Sequence, residues 1–333
     1  MSSSASARQD MGGVRDLASL VLAMLLAACV STESDRTDRP SVLCVAKDGP
    51  TPADAVVLVK ARLGDQGFTY CSGVLVASDI VLTGLGCVVA LNDPDALDPR
   101  PTTAEENFIS INLIDLDYDS LCERDRGWKW IEDGSFAAEL GEPLQPDAIG
   151  VSVRGALDDT FQVKSIFTSR GQSHCGDDLA ALVLEAPTNV SPAAVRLEDV
   201  SHVGDAVTLL GFCVTQEGPL ATSTLDSQVE GVTFEEGDVT APPRSLLLSH
   251  VLSVFASGGA VFSPETGALI GVITSGEATG CGEAGPEGKT VAVRLAPFRR
   301  MLIDAARAAG QPLHTERGAA SSAGEPMPAC PDL

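Results

Sequence analysis

The chain has 333 residues, 44% of them hydrophobic, enough to bury a full core in one two-lobed domain or in two small ones. Its 22 Lys and Arg stand against 46 Asp and Glu, a formal net charge of −24. That balance argues against nucleic acid and anionic membrane surfaces as partners, since both need basic patches, and is read most simply as a solubility feature of an exported protein.

Residues 17–28 (LASLVLAMLLAA) form an apolar run too short to span a bilayer, and Arg8 and Arg15 precede it. Residues 1–28 therefore read as a signal peptide, although Asp10 and Asp16 offset the arginines and Met11 is an alternative start. The run ends in Leu26-Ala27-Ala28-Cys29, which resembles the lipobox of bacterial lipoproteins. The resemblance implies a lipid on Cys29 and a cell-envelope location; a plain small-residue cleavage site that holds a cysteine is the other reading. Val30-Ser31 lacks the aspartate that resembles an inner-membrane retention signal, which leans toward the outer membrane or periplasmic face. Residues 30–40 are polar and charged without apolar period, so 29–50 are expected to be the lipidated cysteine and a flexible tether.

From about Ala55 the apolar residues come in short runs separated by Gly, Asp, Asn and Pro, an all-β pattern. Residues 56–63 and 68–76 flank Gly64-Asp65-Gln66-Gly67 as a hairpin. Residues 108–116 alternate, with Ile109, Ile111 and Leu113 on one face. Strands are also expected at 150–154, 161–167, 207–212, 268–274 and 290–294, and at 179–184, which is apolar throughout as a strand buried on both faces would be. One helix follows: Pro297 suits its first turn, Phe298, Met301, Leu302 and Ala305 share a face, and Gly310 suits its C-terminal cap. Residues 311–333 are expected to lie on the surface as a tail.

The organising stretch is Cys71-Ser-Gly-Val-Leu-Val-Ala-Ser-Asp-Ile-Val-Leu-Thr-Gly-Leu-Gly-Cys87, two short apolar strands joined at Ala77-Ser78-Asp79 and closed by cysteines sixteen residues apart. It resembles the trypsin/chymotrypsin-like serine peptidases, whose pattern here is C-[SG]-G-[ST]-L-I, a turn, and V-L-T-A-A-H-C. Two more segments carry the likeness. Asp178-Leu179-Ala180-Ala181-Leu182-Val183-Leu184 resembles D-I-A-L-L-x-L, and Ser257-Gly258-Gly259 with residues 269–276 (LIGVITSG) resembles G-D-S-G-G-P and its downstream strand. The segment around Gly211-Phe212 resembles the family's Gly-Trp. The likeness implies two six-stranded antiparallel β-barrels over residues 51–310, with a C-terminal helix.

It also implies a site. Ser257 takes the place of the nucleophile and Asp178 that of the orienting carboxylate, while the family's general-base histidine is replaced by Gly86. The residue before the nucleophile, an aspartate in the family, is Ala256, and Phe255 stands where a glycine amide would serve, with Ser257, as an oxyanion donor. The chain has no I-V-G-G activation site, so zymogen cleavage is not its control. Only four histidines exist, at 174, 202, 250 and 314. His174, four residues before Asp178, is the candidate for a displaced base; an exposed loop histidine is the plainer reading.

Apart from Cys29, eight cysteines remain, an even number in an exported chain, which reads as a disulfide framework. The family match implies Cys71 with Cys87, and its cleft regions suggest Cys213 with Cys281; Cys122 with Cys175 and Cys44 with Cys330 are the pairings expected for the rest. No metal pattern is found: Asp115-Leu-Asp-Tyr-Asp119 fails as a calcium loop at Ser120 and Arg126, and no cofactor motif occurs.

Two functions remain open. One is an inactive peptidase homologue, anchored as a lipoprotein, that binds an envelope or extracellular protein. The alternative is an active endopeptidase or esterase in which a displaced base serves Ser257.

Overall fold

Short β-branched runs punctuated by turns fold here into two closed sheets, seen in a computed structural model that describes residues 43–45, 52–63, 67–89, 143–153, 155, 160–168, 174–198, 201–214, 220–232, 244–250, 252, 256–276 and 290–316. The first strand, β1 (Leu43–Val45), pairs in parallel with the last, β14 (Leu313–Thr315). Ordered pairing thus extends beyond the expected 51–310 at both ends.

The first barrel contains β2 (Val56–Arg62), β3 (Phe68–Ala77), β4 (Ile80–Thr83), β5 (Ile149–Ser152), β6 (Phe161–Thr168) and β7 (Ala180–Leu184), closed in the order β2-β3-β4-β7-β6-β5 with every pair antiparallel. The β2–β3 hairpin is in register from Val56↔Val74 to Arg62↔Phe68. Gly67, at φ 112, takes the left-handed backbone that the reversal needs. Leu179 and all of β7 are buried, which explains the unbroken apolar run there.

The second barrel contains β8 (Ala206–Val214), β9 (Leu220–Val232), β10 (Ser245–Leu248), β11 (Ala260–Phe262), β12 (Leu269–Gly276) and β13 (Thr290–Arg294), closed as β10-β13-β12-β11-β8-β9. Its strands are likewise antiparallel. Beyond it, α1 (Arg299–Ala309) ends where Gly310, at φ 76, donates its N–H to Ala306 O (2.9 Å). Leu302, Ala305 and Ala306 of α1 are buried in the same apolar cluster as β7. The expected strand at 108–116 and the Asp115–Asp119 acidic run lie outside the described residues.

The segment between the barrels is hydrogen-bonded to both. Ala193 N–H reaches Leu75 O of β3 (2.8 Å), and Leu269 N–H of β12 reaches Ala194 O (2.7 Å). Two lobes held by one continuous hydrogen-bonded linker place the ends of β4, β7 and β12 close together, and the site lies there.

Candidate functional site

The site grows from a knot of backbone contacts between barrels. Ser72 of β3 donates its N–H to Ser257 O (2.8 Å), its hydroxyl oxygen accepts from Phe212 N–H (2.8 Å), and its carbonyl accepts from the Thr83 hydroxyl (2.8 Å). Against this knot the Ser-Gly-Gly turn has no spare volume. Gly258 sits at φ +83, and a Cβ there would lie 2.0 Å from Ser72 O and 2.3 Å from Thr83 Oγ1. A Cβ on Gly259 would lie 2.5 Å from Leu210 O. The two glycines are therefore demanded by the close approach of the barrels, and Ser257 is displayed where they force the chain to turn.

Cys87 follows from the single helical turn Leu85–Cys87 and is disulfide-bonded to Cys71. The turn orients Gly86, whose backbone N–H donates to Asp178 Oδ1 (2.8 Å). Asp178 is 1% exposed, at the entrance to β7. A Cβ built on Gly84 would lie 3.5 Å from Asp178 Oδ2, 3.5 Å from Ser257 Oγ and 3.5 Å from Cys87 Sγ. Twice that distance, about 7 Å, is the most that can separate the carboxylate oxygen from the hydroxyl. One imidazole hydrogen-bonded to both, through two bonds of about 2.9 Å, would bridge a gap of that order.

Residue 86 is a glycine and supplies no imidazole. The Ser257 hydroxyl donates instead to Thr274 O of β12 (2.9 Å). A peptide carbonyl accepts a hydrogen bond but cannot take the proton, so this contact holds the hydroxyl without activating it. Cys87 Sγ lies 3.7 Å from the same oxygen and, as a disulfide sulfur, carries no proton.

The turn that precedes Asp178 is clasped from the second barrel. Asp177, beside Asp178 in the turn His174–Asp177, accepts from Arg244 Nη1 (2.7 Å), and the Arg244 guanidinium lies over the Phe298 ring at 5.6 Å. Arg244 is the one described non-glycine residue with positive φ, at 60°, and its carbonyl accepts from Arg294 N–H (2.9 Å). The sequence gives no sign of this clasp beyond a lone arginine after Pro242-Pro243.

The structure thus brings Ser257, Asp178 and Gly86 together. His174 opens the helical turn next to Asp178 in sequence, and its ring is outside what is described. Ala256 is fully buried in the apolar core of the second barrel, so no charge stands before the serine. Cys213 is disulfide-bonded. Phe255, Cys29, Cys122, Cys281 and Cys330, and the side chains of Cys44 and Cys175, lie outside the described residues, and with them the other three cysteine pairings.

Two closed six-stranded barrels, the Cys71–Cys87 bridge and the three converging segments define a double-β-barrel protein of trypsin-like architecture. No protein-family model matches the chain. A stretch of 131 residues, 39% of this chain, is 30% identical to the human peroxisomal leader peptide-processing protease, and the match spans only 22% of that protein's length. Among solved structures, the scabies mite inactivated protease paralogue is 15% identical over 79% of this chain and all of its own, with a TM-score of 0.48. Kallikrein-related peptidase 10 is 14% identical over 77% of this chain and 97% of its own, with a TM-score of 0.44. A thermostable serine protease from an extremophilic microorganism is 12% identical over 78% of this chain and 99% of its own, with a TM-score of 0.46.

Proposed function

We propose that this chain is a trypsin-fold protein without peptidase turnover, exported and held at the cell envelope by a lipid on Cys29, whose barrels bind another envelope or extracellular protein. One observation carries the reading: the Ser257 hydroxyl donates its hydrogen bond to the Thr274 carbonyl, and residue 86, whose backbone N–H donates to Asp178, is a glycine with no side chain to act as base. Without a base the seryl oxygen stays a neutral, weak nucleophile. Loss of one triad member in subtilisin or trypsin leaves about 10³ to 10⁴ of rate over water, and that residue of activity depends on an intact oxyanion hole. Here Phe255 stands where a glycine amide serves in the family, which weakens the hole further. The lipobox-like Leu26-Ala27-Ala28-Cys29 supports the anchor, and the polar stretch after it supports a tether.

The test is labelling of the purified, oxidised protein with a fluorophosphonate, the adducts mapped to single residues. No adduct at Ser257, as in the Ser257→Ala variant, is expected. An adduct at Ser257 would overturn the reading, and its loss in His174→Ala would establish the displaced base. Metabolic labelling with a palmitate analogue, lost in Cys29→Ala, checks the anchor separately.

A further inference from the structure

The space between Asp178 and Ser257 has room for a group that the glycines beside it do not supply. A Cβ built on Gly84 has as its nearest neighbours Asp178 Oδ2, Ser257 Oγ and Cys87 Sγ, each 3.5 Å away, which is ordinary van der Waals contact. A carbon-sized group therefore stands beside the carboxylate and the hydroxyl without displacing either. Gly84, Asp178 and Cys87 are buried, whereas Gly86 and Ser257 are half-buried. The space thus opens outward past Gly86 and Ser257, and a glycine at residue 86 leaves that entrance wide.

The two polar walls set the chemistry of an occupant. Asp178 presents Oδ2, an acceptor, and Ser257 presents a hydroxyl that now donates to Thr274 O (2.9 Å). An occupant must donate at one end and accept at the other, across oxygens at most about 7 Å apart. Rotation about the Cα–Cβ bond of Ser257 adjusts that span. A neutral imidazole has one N–H and one bare nitrogen on a small flat ring. An amide offers the same pair, but only the imidazole can take the hydroxyl's proton, and the resulting charge falls beside the Asp178 carboxylate.

We propose that the protein partner of this chain places a histidine side chain in this space, one ring nitrogen donating to Asp178 Oδ2 and the other accepting from the Ser257 hydroxyl. This rests on the reading that the chain binds a protein, and it gives that partner a chemical mark. A free imidazole gains little beyond two hydrogen bonds, whereas a histidine carried on a docked surface is held at an effective concentration of about millimolar or more. With the ring in place Ser257 gains a base. When Oγ bonds to the phosphorus of a fluorophosphonate, its proton passes to the ring nitrogen and fluoride leaves.

The experiment follows the rate of fluorophosphonate adduct formation at Ser257 in the full oxidised chain, mapped by peptide mass spectrometry, with imidazole, N-acetylhistidine amide or N-methylimidazole added. The first two are expected to raise the rate by about 10²-fold at saturation, the low end of general-base assistance. N-methylimidazole takes a proton as readily in solution but has no N–H for Asp178, and is expected to give no such gain. No gain from any of them, or an equal gain from N-methylimidazole, would overturn the proposal. A gain from imidazole that N-acetylhistidine amide does not share would show that the space admits the free ring alone, and would overturn the partner's part in it. The two readings fail separately: an adduct that forms with nothing added counts against the inactive site proposed above, while a missing gain strikes only the histidine.

Discussion

Ser257 and Ser249 meet different neighbours: the Ser257 hydroxyl donates to the Thr274 carbonyl, and Ser249 Oγ lies 3.0 Å from His250 Nδ1. Asp79 shows the same dependence of one residue on its surroundings. It lies in the turn between β3 and β4, 7% exposed, and its Oδ1 has no hydrogen-bond partner among the described residues. Burial raises its carboxyl pKa above the ordinary 3.8, while its own backbone N–H and the charge of Lys164 pull it partly back. The folded protein therefore binds this proton more tightly than the unfolded chain does. Its contribution to stability is full below pH 3.8 and is lost as pH rises through the higher folded value. Asp79→Asn removes that loss. Thermal unfolding should show a higher Tm for the variant at pH 7 and no difference below pH 3.8; a variant no more stable than wild type at pH 7 would mean the carboxylate is not a cost.

At the scale of elements, the turn Leu85–Cys87 is the part that decides the chemistry. The Cys71 bridge holds its end and Asp178 holds its middle, so a side chain at residue 86 has a fixed point of departure. Gly86→His should place an imidazole between Asp178 and Ser257 and raise fluorophosphonate labelling of Ser257 by about 10²-fold or more. Asp178→Asn in the same background should cancel most of the gain by losing the ring's orientation. Unchanged labelling would show that the turn does not direct its side chain into the gap. These positions were legible in the sequence because each lies in a short motif with fixed spacing. The strands of the first barrel were legible too, since their apolar runs are dense. The 13-residue β9 was not: LATSTLDSQVEGV is mostly polar, and a nine-residue ladder with β8 makes it a strand. β10 and β11 are too short to show a period. Arg244 with Asp177, between the barrels, and Ser249 with Gln228, within the second, are contacts across 67 and 21 residues that only the folded chain creates.

On the scale of the molecule, the barrels, linker and chain ends are held by one set of contacts. Val195 bridges both Leu269 of β12 and Thr315 of β14. Beside it Arg196 pairs with Glu316 (2.8 Å) and donates to the Thr266 hydroxyl (3.0 Å). The residues after Gly310, which composition alone places in a surface tail, thus begin with a strand that joins the linker to β1. Leu313 anchors it: the residue is fully buried in the core cluster that α1 shares with residues of both barrels. A loose tail would tolerate truncation there at little cost, whereas a packed strand would lose the transfer energy of the side chain and leave a cavity. Leu313→Ala is therefore expected to cost about 2 to 5 kcal/mol in urea unfolding, the range of buried leucine truncations, through a lower midpoint at unchanged slope. A cost under about 0.5 kcal/mol, the range of ordinary surface substitutions, would show that β14 can detach while the barrels stay folded. A reduced slope would show instead that linker and barrels come apart in separate steps, with a less cooperative transition.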